Sequence, residues 1–152
     1  MVGMRAPSLY THFPSRNAII DAMFGQAWAE CARALGAVGA NQTMAPREWL
    51  HRSAREFFDF CVQDPVRNQL MNQRSVPGFV PSPESYAPSV SFMQHFTANM
   101  AVYGLTRAED VDLYTAMIGG LIDAQLANDP GGDRWRRLLD RAVTMYADNV
   151  GL

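Results

Sequence analysis

Lysine is missing from this chain: all 13 basic residues are arginine, which points to a GC-rich coding sequence more than to a function. Acids exceed them only slightly, leaving a formal net charge of −2. That excludes a polybasic protein that coats nucleic acid by electrostatics alone. Charged residues are scarce, 18% against 48% hydrophobic, and this balance excludes wholesale disorder. Cysteine is nearly absent too. Cys31 and Cys61 are too few for a disulfide-rich secreted scaffold, and no Cys/His spacing suggests zinc. Both lie in apolar runs, as core thiols in a reducing compartment do. No stretch of about 18 uninterrupted apolar residues occurs, so no membrane span is expected. Met1 to Tyr10 lacks the apolar core of a signal peptide. The expectation is a cytoplasmic protein. No Gly-rich phosphate loop, metal-ligand array or nucleophile motif is present. His51 and His95 have no partner at a diagnostic spacing, and Glu109, Asp110 and Asp112 open a helix, where the macrodipole favours acids. No catalytic residue, metal or cofactor is expected.

What is present is helical periodicity, nearly everywhere. Pro7 to Phe13 reads as a short helix, stopped by Pro14, with Ser15 placed to cap the next. From Arg16 the apolar residues Ile20, Phe24, Ala27, Cys31 and Leu35 recur at three- and four-residue steps, widened by Ile19, Met23 and Trp28, until Gly36 or Gly39. Thr43 and Pro46 open a third helix bearing Trp49, Leu50, Ala54, Phe57, Phe58 and Cys61. Asp64-Pro65 opens a fourth, short one reaching about Gln73. Five prolines and glycines in Ser75 to Pro88 read as a loop. A fifth helix carries Phe92 to Tyr103, with Gly104 as its stop. Thr106 and Glu109 read as the capping box of a sixth. Asn128 to Gly132 breaks it, and Asp133 is placed to cap a seventh that ends near Val150. The fold class is all-α.

Charge singles out one segment. Residues 1–20 hold Arg5 and Arg16 and no acid, giving +2, whereas residues 21–152 carry −4. In the short helix, Leu9 and Phe13 share one face, and Ser8, Thr11 and His12 share a small polar one. Such a helix suits a major groove. Arg16, beside free N–H groups at a helix start, suits a phosphate. The run G-M-R-A-P-S-L-Y-T-H-F-P-S-R resembles the recognition helix of the TetR/AcrR family of bacterial regulators, matching its pattern at Gly3, Leu9, Tyr10, His12, Phe13 and Arg16. The resemblance implies DNA contacts from Ser8, Tyr10, Thr11 and His12 and phosphate contacts from Arg16 and Arg5, with Leu9 and Phe13 as packing residues. It also implies two helices ahead of this run, which the chain does not contain. Residues 1–25 then read as a remnant of the DNA-binding helix-turn-helix, and 26–152 as a C-terminal regulatory domain. Operator DNA is an expected partner only with those helices restored, and a misassigned start codon is the favoured explanation.

The resemblance fades after about residue 40, but the helix layout fits such a regulator. It implies a homodimer through the last two helices. Ala116, Gly120, Leu121 and Ala124, with Leu138, Leu139, Val143 and Tyr146, have the small and apolar character of such a seam. The middle helices are rich in soft and aromatic side chains: Phe57, Phe58, Phe92, Met93, Phe96, Met100, Tyr114 and Met117. These suit an adaptable apolar cavity, with Cys61, His95, Asn99 and Gln125 as its polar groups. Its expected occupant is a hydrophobic small-molecule inducer. The alternatives are a headless dimerisation and ligand-binding module and, last, a small helical enzyme.

Overall fold

A computed structural model of the chain describes residues 12–39, 43–73 and 75–152. Six α-helices are found there: α1 Arg16–Gly39, α2 Pro46–Gln63, α3 Pro65–Asn72, α4 Pro83–Val102, α5 Ala108–Asn128 and α6 Leu139–Asn149. One 3-10 turn, Arg136–Leu138, leads into α6. The described residues contain no strand, and the fold is all-α. No helix among them is long and apolar enough to cross a membrane. The helix expected at Pro7–Phe13 lies outside the described residues except at its end, where His12 sits in a turn and Phe13 in no regular element.

Local chemistry explains most of the helix ends. Ser15 caps α1, its Oγ accepting from Ala18 N–H at 3.1 Å. Asp64 caps α3 in the same way, accepting from Arg67 N–H at 3.0 Å, with Pro65 in the first turn. Gly104 takes a positive φ of 83°, which lets α4 close with paired bonds, Leu105 N–H to Met100 C=O and Gly104 N–H to Ala101 C=O. Gly151 closes α6 with the same pair of bonds, to Ala147 and Asp148.

Three boundaries differ from the sequence reading. The proline segment becomes helical at Pro83, and Pro88 stands inside α4. An interior proline costs about 3 kcal/mol and leaves one carbonyl without its bond. Ser82 offsets part of this by capping α4, and Asp21 on α1 anchors that cap. Thr106 does not cap α5: the helix starts from Arg107 with no side-chain cap. Asp133 does not start a seventh α-helix either. Buried Gln125 fills that role, its Oε1 accepting from Trp135 N–H at 2.8 Å and Arg136 N–H at 3.0 Å. Gln125 is therefore a cap for the 3-10 turn and not a polar group of a cavity.

The core is built around α2, which touches α1, α3, α5 and α6. Its buried residues Trp49, Leu50, Ser53, Ala54, Phe58 and Cys61 follow helical spacing. On α1, Phe24, Ala27, Trp28, Cys31 and Leu35 turn inward while Met23 stays exposed. Cys31 and Cys61 are fully buried at the α1–α2 seam, and burial pushes both thiols up to about 12. Ion pairs ring the contact of α2 with the C-terminal segment: Arg136 with Asp59 at 2.7 Å and Arg55 with Asp140 at 2.8 Å.

The expected dimer seam divides. Leu139, Val143 and Tyr146 are 0, 0 and 3% exposed and pack inside the chain. They form the apolar stripe of α6, which that helix spends on α2 and α5. Tyr146 also donates its hydroxyl to the Asp110 carbonyl at 2.8 Å. Ala116, Gly120 and Leu138 are exposed, and Leu121 and Ala124 are half-buried. Leu139→Ala should therefore cost about 2–5 kcal/mol in urea unfolding. The loss should be the same at every protein concentration; a loss that appears only at high concentration would place Leu139 between two copies instead.

Candidate functional site

Helices α1 and α4 meet along a tight seam. Asp21 on α1 accepts from Ser82 N–H at 2.7 Å, Ser82 Oγ at 2.7 Å and Ser85 Oγ at 2.8 Å. A carboxylate at the start of α4 also suits the dipole of that helix. One turn along α1, a Cβ on Gly25 would stand 3.1 Å from Ser85 Cα, so a side chain there would push the two backbones a few tenths of an ångström apart. Partial burial pushes the Asp21 carboxyl upward, but the bonds from Ser82 and Ser85 outweigh it and hold it below its ordinary value of 3.8.

Beyond this seam aromatic side chains fill the space between α1, α2, α4 and α5. Phe92 on α4 stands against Trp28 on α1 at 5.6 Å between ring centres and against Phe57 on α2 at 6.1 Å. Phe96, one turn further, stacks on Trp49 and on Tyr114, each at 5.6 Å. Tyr114 is held by its hydroxyl, which donates to the Leu50 carbonyl at 2.6 Å and lies 2.9 Å from Ser53 Oγ. Burial pushes its pKa upward, so the phenol stays neutral.

These rings are too large to close the space completely. Two connected cavities remain between α1, α2, α4 and α5, sharing Leu35, Ser53, Phe92 and Phe96. The outer one, about 490 Å³, reaches His95 and Asn99 on α4 and Gly36 on α1. The inner one, about 350 Å³, extends past Phe57 and Tyr114 to Asn68 and Asn72 on α3 and Gly119 and Asp123 on α5. Both volumes lie in the range that holds a small organic molecule. Asn72 and Asp123 are exposed and mark the mouth of the inner cavity, where Gln73 donates to Asp123 at 3.1 Å. A third space, an open groove of about 700 Å³, runs outside along α1 and α4 beside Phe24, Tyr86 and Val90. Trp28 and Met93 separate it from the inner cavity.

Of the residues expected to hold a ligand, Phe57, Phe92, Met93, Phe96 and Tyr114 line the inner cavity. His95 lines the outer one, exposed, with Nδ1 2.8 Å from the Ser91 carbonyl. Phe58, Cys61 and Met100 do not join them: each is sealed in the core at 0 or 1% exposure. Met117 packs against that core from a half-buried position. Sequence reasoning missed Ser53, Asn68 and Gly119 as wall residues. Asn68 carries no periodic signal, because it is buried on a helix of only eight residues that packs against α1 and α2. Of the expected DNA contacts, Arg5, Ser8, Tyr10 and Thr11 lie outside the described residues, whereas His12 and Arg16 are both exposed. The boundary drawn between residues 25 and 26 lies inside α1.

Compared with known proteins, the chain matches no family model, no curated protein and no solved structure. Its function has to be argued from the cavity and the segment that leads into it.

Two outcomes follow from this geometry. Asp21→Ala should cost about 1–2 kcal/mol at pH 7, the usual loss for a cap with further hydrogen bonds. Because the folded carboxyl titrates below 3.8, its contribution is full above that value and is lost as pH falls through the folded pKa. Urea unfolding of both proteins from pH 6 to pH 2.5 checks this; a gap that stays constant would refute it. Gly119→Ala should stabilise the chain by about 0.5–1 kcal/mol, since a Cβ there meets nothing within 4 Å and an interior helix glycine is costly. A lower melting temperature for this variant would show that the wall is already filled.

Proposed function

We propose that this chain is the ligand-binding and dimerising part of a TetR-type transcription regulator, a repressor released by an apolar small molecule. The observation that carries the reading is the continuity of α1. It begins at Arg16, the last residue of the recognition-like run, and continues without a break to Leu35 and Gly36 on the cavity wall. Trp28 lies roughly 18 Å along that helix from Arg16. A ligand that repositions Trp28 bears on the same helix that carries Arg16 at its start. The start of α1 also suits a phosphate: Arg16 is exposed and the first turn holds no acid. The open face of α5, with Ala116 and Gly120, is where a second copy would dock, and a twofold dimer presents two recognition helices to one operator.

The test is fluorescence anisotropy on DNA from upstream of the gene, using the product that its own cells make. Binding should weaken linearly with log salt. Arg16→Ala should weaken it on every sequence and reduce the salt slope by about one, as loss of one phosphate contact does. His12→Ala should instead reduce discrimination between operator and random DNA. A product that binds no DNA at 50 mM salt would overturn the reading and leave a headless ligand-binding module in its place.

A further inference from the structure

We propose that the inner cavity takes an uncharged, flat, largely aromatic molecule with a hydrogen-bond acceptor, such as a ketone or amide carbonyl, received by the donors of Trp28 and Asn68. The proposal rests on reading this cavity as the ligand site, and it names the chemistry that the site selects.

Unpartnered donors argue for the acceptor. Among the described residues, three buried side-chain nitrogens lack a hydrogen-bond partner: Trp28 Nε1, Arg67 Nε and Trp135 Nε1. Of these three residues, Trp28 alone lines the inner cavity, and it is 8% exposed. Its neighbours Phe92, Phe57 and Met93 bring no acceptor to it. Asn68 is the second polar group on the wall, 2% exposed. Its Oδ1 already accepts from Asn72 Nδ2 at 2.8 Å, so what Asn68 has left to offer is its amide N–H pair. Ser53 and Tyr114 are spent on each other and on the Leu50 carbonyl. Among the buried polar groups of this wall, the donors left over are therefore those of Trp28 and Asn68.

Charge narrows the class further. Among the described residues, no arginine lines either cavity. A carboxylate or phosphate would shed its water without a cation to receive it. Asp123, the charged side chain among the described residues of the inner wall, stands at the exposed mouth and repels anions. An ammonium would be drawn to Asp123 at the mouth, but it brings only donors and leaves Trp28 and Asn68 unpaired within. The rings of Trp28, Phe57, Phe92, Phe96 and Tyr114 suit a flat aromatic body by stacking and edge contact. Gly119, across from them, leaves room that any side chain would occupy.

Four probes with one shared body test this: 2-acetylnaphthalene, naphthalene, 2-naphthoate and 2-naphthylmethylammonium, titrated calorimetrically into the protein without DNA. The ketone should bind tightest, and naphthalene about tenfold more weakly, the value of one hydrogen bond. The anion and the cation should be weaker still. Trp28→Phe keeps a ring and deletes the N–H. It should lower ketone affinity several-fold, the share of one of the two donors, while changing naphthalene by less than twofold. Asn68→Leu, of similar volume, should likewise weaken the ketone alone, and it serves if Trp28→Phe does not fold. The proposal is overturned if a charged probe outranks the ketone, if no probe binds, or if the folded variants keep the ketone preference. Because no DNA is present, these results stand apart from the regulator reading, which fails only if the protein does not bind DNA.

Discussion

The cavity depends on how α1 is fastened to α4. Asp21 gathers the donors at the start of α4, and Gly25 lets the two backbones close on Ser85. Past that end the rings of Trp28 and Phe92 meet between the helices, and the inner cavity lies against them. Core packing normally leaves few voids larger than a water molecule. The gap here is larger than that, and Gly119 on the facing wall does nothing to fill it.

A second set of ties fixes the opposite wall. Tyr114 reaches from α5 to the Leu50 carbonyl on α2, Tyr146 from α6 to Asp110 on α5, and Tyr103 from α4 to the Met44 carbonyl. Each hydroxyl is a directional bond at the end of a bulky apolar ring, so helix spacing and rotation are set together. The proposed ligand then meets a wall of fixed rings at α2 and α5 and a longer lever at α1. A molecule wedged against Phe92 has more scope to tilt α1 than to move α2, which is packed on four helices.

How much was legible in advance follows the range of the interactions. Ser15, Asp64-Pro65 and Gly104 act on their own helices, so their chemistry can be read from adjacent residues, as can the stripe from Phe24 to Leu35. The start of α4 could not be read, because part of what makes Pro83–Val102 helical is a carboxylate 61 residues upstream in Ser82's partner Asp21. Gln125 capping Trp135 and Arg136 is the same kind of event. In the site, the aromatic identity of the wall was legible and its membership was not. Phe57, Phe92 and Phe96 line the cavity, while Phe58 and Met100, equally apolar, are rotated into the core. One residue of helical register separates Phe57 from Phe58, and composition carries no information at that scale. The stripe of α6 was equally visible, yet its destination, inside the chain, was set by α2 and α5.

The two thiols at the α1–α2 seam carry a consequence of their own. Burial raises the pKa of both Cys31 and Cys61, so the thiols stay protonated at pH 7. Neither side chain is open to solvent while the helices are packed. Alkylating reagents therefore have to wait for the seam to part. Since each helix brings one sulfur to the same seam, lifting α1 away from α2 uncovers both together. The chain thus contains its own clock for that motion: the rate at which the pair is blocked counts how often α1 leaves its place, and a bound ligand that loosens or tightens the helix resets that rate.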